Sequence, residues 1–152
     1  MSSTTLDRLT ADLTTAMKAR DAFRTGTLRQ VVAAVRGEAK AGPVEKDLGE
    51  DDVLRVLARE VKKRRESAEI YTGAGADDRA ANESAEADVI EEYLPKQLSD
   101  DELAALVRDA VAATGATTLR DMGAVMKEAT ARAGLSADGK KLSALVRTAL
   151  AG

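Results

Sequence analysis

The chain has 152 residues, with 26 acidic and 23 basic side chains and a net charge of −3. It therefore lacks the positive field of a general nucleic-acid binder, and any RNA contact must be local. Cys and His are both absent, which excludes disulfides, thiolate nucleophiles, Cys-type zinc sites and every catalytic scheme built on an imidazole base.

Phe23, Tyr71 and Tyr93 are the only aromatic residues, so any core must be made of Ala, Leu and Val on closely packed helices, in one domain or two small ones. The first eight residues hold no apolar run behind a basic start, and no stretch approaches the roughly 20 apolar residues of a membrane span. The expected location is cytoplasmic.

Leu6, Leu9, Leu13 and Met17 recur at steps of three and four, which predicts a first amphipathic helix. A second starts at Asp21 as N-cap and carries Leu28, Val31, Val32 and Val35; Gly26 is an awkward residue inside it, and the stretch 37–49, with Gly42 and Pro43, follows. The third is expected to start at the acidic run Glu50, Asp51, Asp52, which suits the positive end of a helix dipole, and to reach about Tyr71 before Gly73 and Gly75 stop it.

A fourth helix is expected over 77–94, ended by Pro95 because proline disfavours α geometry in the residue before it, and the third and fourth form an antiparallel hairpin. Ser99 to Glu102 reads as a capping box in which each residue satisfies the other's backbone donor. Helix five then uses Leu103, Leu106, Val107, Ala110 and Val111 up to Gly115. Helix six uses Leu119, Met122, Val125, Met126 and Ala129 up to Gly134, and helix seven starts at Asp138 and carries Leu142, Leu145, Val146 and Leu150. The fold class is all-α, with an N-terminal helical domain over 1–96 and a C-terminal three-helix domain over 97–152.

On a helical wheel Arg64 falls inside the apolar sector of helix three, between Val61 and Ala68. A charge there needs a partner. Glu83 and Glu86 project from the apolar sector of helix four, so Arg64 is expected to pair with one or both as a structural ion pair. The other face of helix three carries the densest positive patch, Arg55, Arg59, Lys62, Lys63 and Arg65. Its first reading is a solvated face balanced by Glu60, Glu66 and Glu69; its sharper reading is contact with phosphates or an acidic partner.

Residues 97–152 hold seven basic and seven acidic side chains and no aromatic, so base stacking is not available there. Arg120, Lys127, Lys140, Lys141 and Arg147 are the charge candidates, and the turn Asp138-Gly139-Lys140 offers backbone amides at a helix start. Walker, dinucleotide-type glycine and His-Glu-x-x-His motifs are missing, so no cofactor, metal site or catalytic residue is assigned.

Arg59-Glu60-Val61-Lys62-Lys63-Arg64, Tyr93-Leu94-Pro95-Lys96-Gln97-Leu98, Asp121-Met122-Gly123-Ala124-Val125-Met126-Lys127 and Ala137-Asp138-Gly139-Lys140 together resemble the GatB/YqeY family across essentially the whole chain. The resemblance implies a longer-helix N-terminal domain and a C-terminal domain similar to the tail of the tRNA amidotransferase subunit GatB, which helps bind tRNA while the chemistry occurs in a separate domain. Carried over by motif, Gly123, Lys127, Asp138, Gly139 and Lys140 form the tail-like surface. The leading expectation is a non-catalytic accessory protein that binds tRNA or amidotransferase subunits. A helical protein-interaction adaptor is the alternative, and carbon–nitrogen ligase activity with glutamine as amido donor is a distant third.

Overall fold

The computed structural model describes residues 3–151 and contains seven α-helices and two short 3₁₀ turns, with no strand among the described residues. The chain divides into two compact units, Met1–Leu94 and Pro95–Gly152.

The first unit holds α1 (Thr4–Lys18), α2 (Ala22–Ala39), α3 (Glu50–Gly73) and α4 (Asp77–Glu91). Ser3 and Asp21 cap α1 and α2 by accepting from the amides of Leu6 and Arg24, at 3.1 and 3.0 Å. At the start of α3 the amide of Gly49 donates to Asp52 at 3.2 Å. Each bond satisfies an amide that the helical ladder leaves free. Leu9, Leu28, Val31, Val35, Val53, Leu57 and Ile90 are fully buried where the four helices meet. Two details differ from the periodicity. Met17 is 48% exposed, and Ala16 is buried in its place because the helix face drifts round by the last turn of α1. Val56, which the pattern passed over, is buried in α3.

Helix α4 ends at Glu91 rather than 94. The amides of Tyr93 and Leu94 bond three residues back, to Ile90 and Glu91, so the chain tightens into a turn before Pro95 forces Leu94 out of helical geometry. Tyr93 is thereby turned into the core, 4% exposed.

The second unit holds α5 (Asp100–Thr114), α6 (Met122–Ala133) and α7 (Gly139–Ala151). Its core is one row from each helix at steps of three and four: Leu103, Val107, Ala110; Val125, Ala129, Ala133; Leu142, Val146, Leu150. The alanines let the backbones approach closely. Gly115 ends α5 with φ 68°, a left-handed conformation that suits glycine. Leu119 belongs to a 3₁₀ turn, Leu119–Asp121, and is 50% exposed rather than part of the α6 face, because α6 begins only at Met122. The Ser99 box is also altered: Ser99 accepts from the Glu102 amide at 3.1 Å, but the Glu102 carboxylate takes the Ser99 hydroxyl at 3.0 Å instead of its backbone amide.

Candidate functional site

Arg64 is the one charged side chain in the first unit's interior among the described residues, at 3% exposure. Its Nε donates to Glu86 at 3.0 Å and its Nη1 to Glu60 at 3.0 Å, while Nη2 donates to the Gln30 side chain at 2.7 Å. Three helices thus meet on one guanidinium. Glu83 does not join it: it lies nearly a turn closer to the α3–α4 connection than Glu86, and it has no hydrogen bond or ion pair among the described residues. Glu60 takes the second place because it sits four residues before Arg64 on the same helix face. Burial alone would raise the carboxyl pKa of Glu60, but hydrogen bonds from Arg64 and Lys63 outweigh it and hold it below the ordinary value.

A second polar cluster went unread in the sequence. The Tyr93 hydroxyl donates to Asp12 of α1, and Arg24 of α2 reaches both Tyr93, at 3.5 Å, and Glu92, at 2.9 Å. The Arg8 guanidinium lies 4.4 Å from the Tyr93 ring centre and donates to the Glu92 carbonyl at 3.1 Å. Burial, followed by the Asp12 carboxylate, pushes the Tyr93 pKa up to about 12. Apart from the adjacent Glu92, these partners come from two distant segments, α1 and α2, so no local spacing marks them. Tyr93 itself was visible as one of the chain's three aromatics.

The basic face of α3 is largely neutralised. Arg55 meets Asp52 at 3.4 Å, Arg59 meets Glu38 at 2.9 Å, and Lys63 meets Glu60 at 3.2 Å. Arg65 does not face outward with them: it turns onto α4, at 2.7 Å from Asp88 and 3.0 Å from Glu91. The balancing carboxylates are thus Asp52, Glu38, Glu60, Asp88 and Glu91, not Glu66 or Glu69. Lys62 alone of the five has no ion pair among the described residues.

In the second unit five of the seven acids are spent on structure. Asp138 accepts from the Lys140 amide at 3.4 Å, and Asp121 accepts from the amides of Thr117 and Thr118 at 2.9 and 3.2 Å, bonds that lower its pKa. Glu102 holds Ser99, Glu128 holds Arg132 at 2.8 Å, and Asp100 holds Lys141 at 2.5 Å. Lys141 is therefore already engaged.

By contrast Arg120, Lys127, Lys140 and Arg147 form no ion pair among the described residues, and all four are exposed. Lys140 and Arg147, seven residues apart on α7, share a solvent face about 10 Å long. Gly123 and Lys127, four apart, share the outward face of α6, and a Cβ at Gly123 would meet nothing within 4 Å. The 3₁₀ turn that carries Arg120 packs against both helices. Gly139 opens α7 beside Lys140.

No helix of the described residues is long and apolar enough to cross a membrane. Residues 6–150 match the family described as Yqey-like protein. The chain is also similar to Altered inheritance of mitochondria protein 41, mitochondrial, of Meyerozyma guilliermondii, with 36% identity over 90 residues, which is 59% of this chain and 46% of that protein. It thus spans about half the length of that curated relative. The family match runs through both helical units and takes in the Arg64 cluster, the Tyr93 turn and the exposed cations of α6 and α7, and on this match the chain belongs to the Yqey-like protein family.

Proposed function

We propose that this chain is a non-catalytic accessory protein that binds tRNA through its C-terminal unit, in association with tRNA amidotransferase. The observation that carries the reading is the contrast between two sets of cations. Those on α3 are mostly matched by carboxylates, whereas Arg120, Lys127, Lys140 and Arg147 are left for an outside anion. A net charge near zero hides this, because five of the seven acids in the second unit (Asp100, Glu102, Asp121, Glu128, Asp138) are engaged in caps and local pairs. The absence of aromatics from this unit favours phosphate contacts over base stacking. A tRNA ligand is met in the cytoplasm, the location read from the sequence, and also in mitochondria, the compartment in the fungal relative's name.

Electrophoretic shift of tRNA by the full chain, repeated over a range of salt, tests the reading. With four phosphate contacts the plot of log affinity against log salt has a slope of about −3, and Lys127→Glu or Arg147→Glu reduces its magnitude by about 1. Affinity that is absent, or unchanged by both substitutions, refutes it.

A further inference from the structure

A cleft of about 360 Å³ runs along the α1–α2 hairpin. Its floor is apolar and shallow, made by Leu13 of α1 and by Val32, Ala33 and Gly37 of α2. A Cβ built on Gly37 would meet nothing within 4 Å, so the floor is open at that point. One turn beyond Leu13, on the same side of α1, Met17 is 48% exposed and extends the apolar strip.

The rest of the lining is cationic. Arg29 and Arg36 of α2 and Lys40 just past its end line the cleft at steps of seven and four residues, with Arg29 and Arg36 within about 20° of one another on the α2 wheel. All are exposed, and none has an ion pair or a side-chain hydrogen bond among the described residues. Most cations of α3 are matched by carboxylates, and Arg24 of α2 is matched by Glu92; these three are not.

We propose that this cleft docks one acidic amphipathic α-helix of a partner protein. Apolar side chains of that helix seat over Leu13, Val32 and Ala33, and carboxylates on its flank meet Arg29, Arg36 and Lys40. Charge complementarity selects an anionic partner, and the apolar floor selects a helix over a nucleic acid, since a phosphate backbone has nothing with which to cover Leu13 and Met17. A smooth strip such as Ala33 and Gly37 also lets a second helix backbone come close.

The probe is a fluorescein-labelled synthetic helix of about 18 residues, with Leu on one face and Glu at positions i, i+7 and i+11 of its flank, titrated with the full chain by fluorescence anisotropy. The acidic peptide is expected to bind in the micromolar range, and the same peptide with Lys in place of Glu is not. Arg29→Glu with Arg36→Glu weakens binding by at least about tenfold through like-charge contact. Gly37→Leu, which fills the floor without altering charge, weakens it by a similar factor, and circular dichroism confirms that both variants are helical.

Equal binding of the two peptides, or no effect of either variant, overturns the proposal. So does displacement of the peptide by tRNA that itself loses affinity with Arg29→Glu and Arg36→Glu, which would assign the cleft to RNA. Concentration-dependent self-association abolished by Arg36→Glu would assign it to a second copy and overturn it equally.

Discussion

Arg64 Nε lies 3.0 Å from Glu86 Oε2, and this bond joins α3 to α4 from inside the packed hairpin. The guanidinium is kept in the interior only because Glu60, Glu86 and Gln30 together accept from Nε, Nη1 and Nη2. A buried charge satisfied in this way contributes little net stability against a hydrophobic replacement, yet removing one partner leaves the others exposed to the full cost of desolvation.

Arg64→Ala is therefore expected to cost about 3 kcal/mol, at the lower end for a broken buried pair because Glu60 and Glu86 retain 14 and 15% side-chain exposure and can hydrate. Glu86→Gln keeps an acceptor beside Nε and should cost about 1 kcal/mol. Glu83→Ala, which removes no hydrogen bond or ion pair among the described residues, should stay within about 0.5 kcal/mol of wild type. Urea unfolding of the three variants checks the order. If Arg64→Leu combined with Glu86→Leu recovers most of the loss, the pair sets register more than stability.

Much of this cluster was legible in the sequence, and the reason is geometric. Helical periodicity fixes the angle of every residue on its own helix, so a charge inside an apolar sector stands out, and so does the acidic residue facing it. Periodicity says nothing about how far a long polar side chain reaches. Gln30 lies on an exposed part of α2, yet its carboxamide meets Arg64; Arg65 reads as outward and instead reaches Asp88 and Glu91. Element ends were less legible, as α4 stopping at Glu91 and Leu119 sitting in a 3₁₀ turn illustrate. The Tyr93–Asp12 contact spans 81 positions and depends on where α1 docks, which no local pattern encodes.

That contact makes an alkaline prediction. The Tyr93 pKa is raised from 10.0 to about 12, chiefly by burial and then by Asp12, so the folded state holds the phenolic proton more tightly than the unfolded chain. The resulting stability is fully present below pH 10 and is lost as pH rises toward 12. In a Tyr71→Phe background, absorbance at 295 nm follows Tyr93 alone. Its midpoint should lie near 12, and Asp12→Asn should lower it. An unshifted midpoint would mean that the phenol is not held as described.

An acidic prediction comes from the start of α3. Glu50 accepts from the Ser3 hydroxyl at 2.7 Å and from the Thr5 amide at 3.1 Å, bonds that lower its pKa, the Ser3 bond most. A lowered folded pKa gives stability that is present above the ordinary carboxylate value and disappears as pH falls through the folded one. Glu50→Gln should therefore cost roughly 0.5–1 kcal/mol at neutral pH and much less in acid, once the pH has fallen through the lowered folded value and the wild-type carboxylate has taken up its proton. Thermal melts at neutral and acid pH compare the variants directly. A cost that is independent of pH would remove the ionic role of Glu50 and leave only its shape.

The last prediction uses one backbone conformation occupied by two different residues. Arg20, between α1 and α2, has φ 58°, and Gly115, after α5, has φ 68°. An L side chain in this region crowds its own carbonyl, at a cost of roughly 1 kcal/mol, whereas glycine meets no such penalty. Arg20→Gly is thus expected to stabilise the first unit by up to about 0.5 kcal/mol, after allowance for the added freedom of the unfolded chain. Gly115→Ala should destabilise the second by about 1 kcal/mol, since the strain appears even though a Cβ there meets no atom within 4 Å. Opposite shifts in urea midpoint, with m-values unchanged, would identify backbone strain as the cause, because neither substitution alters a core contact.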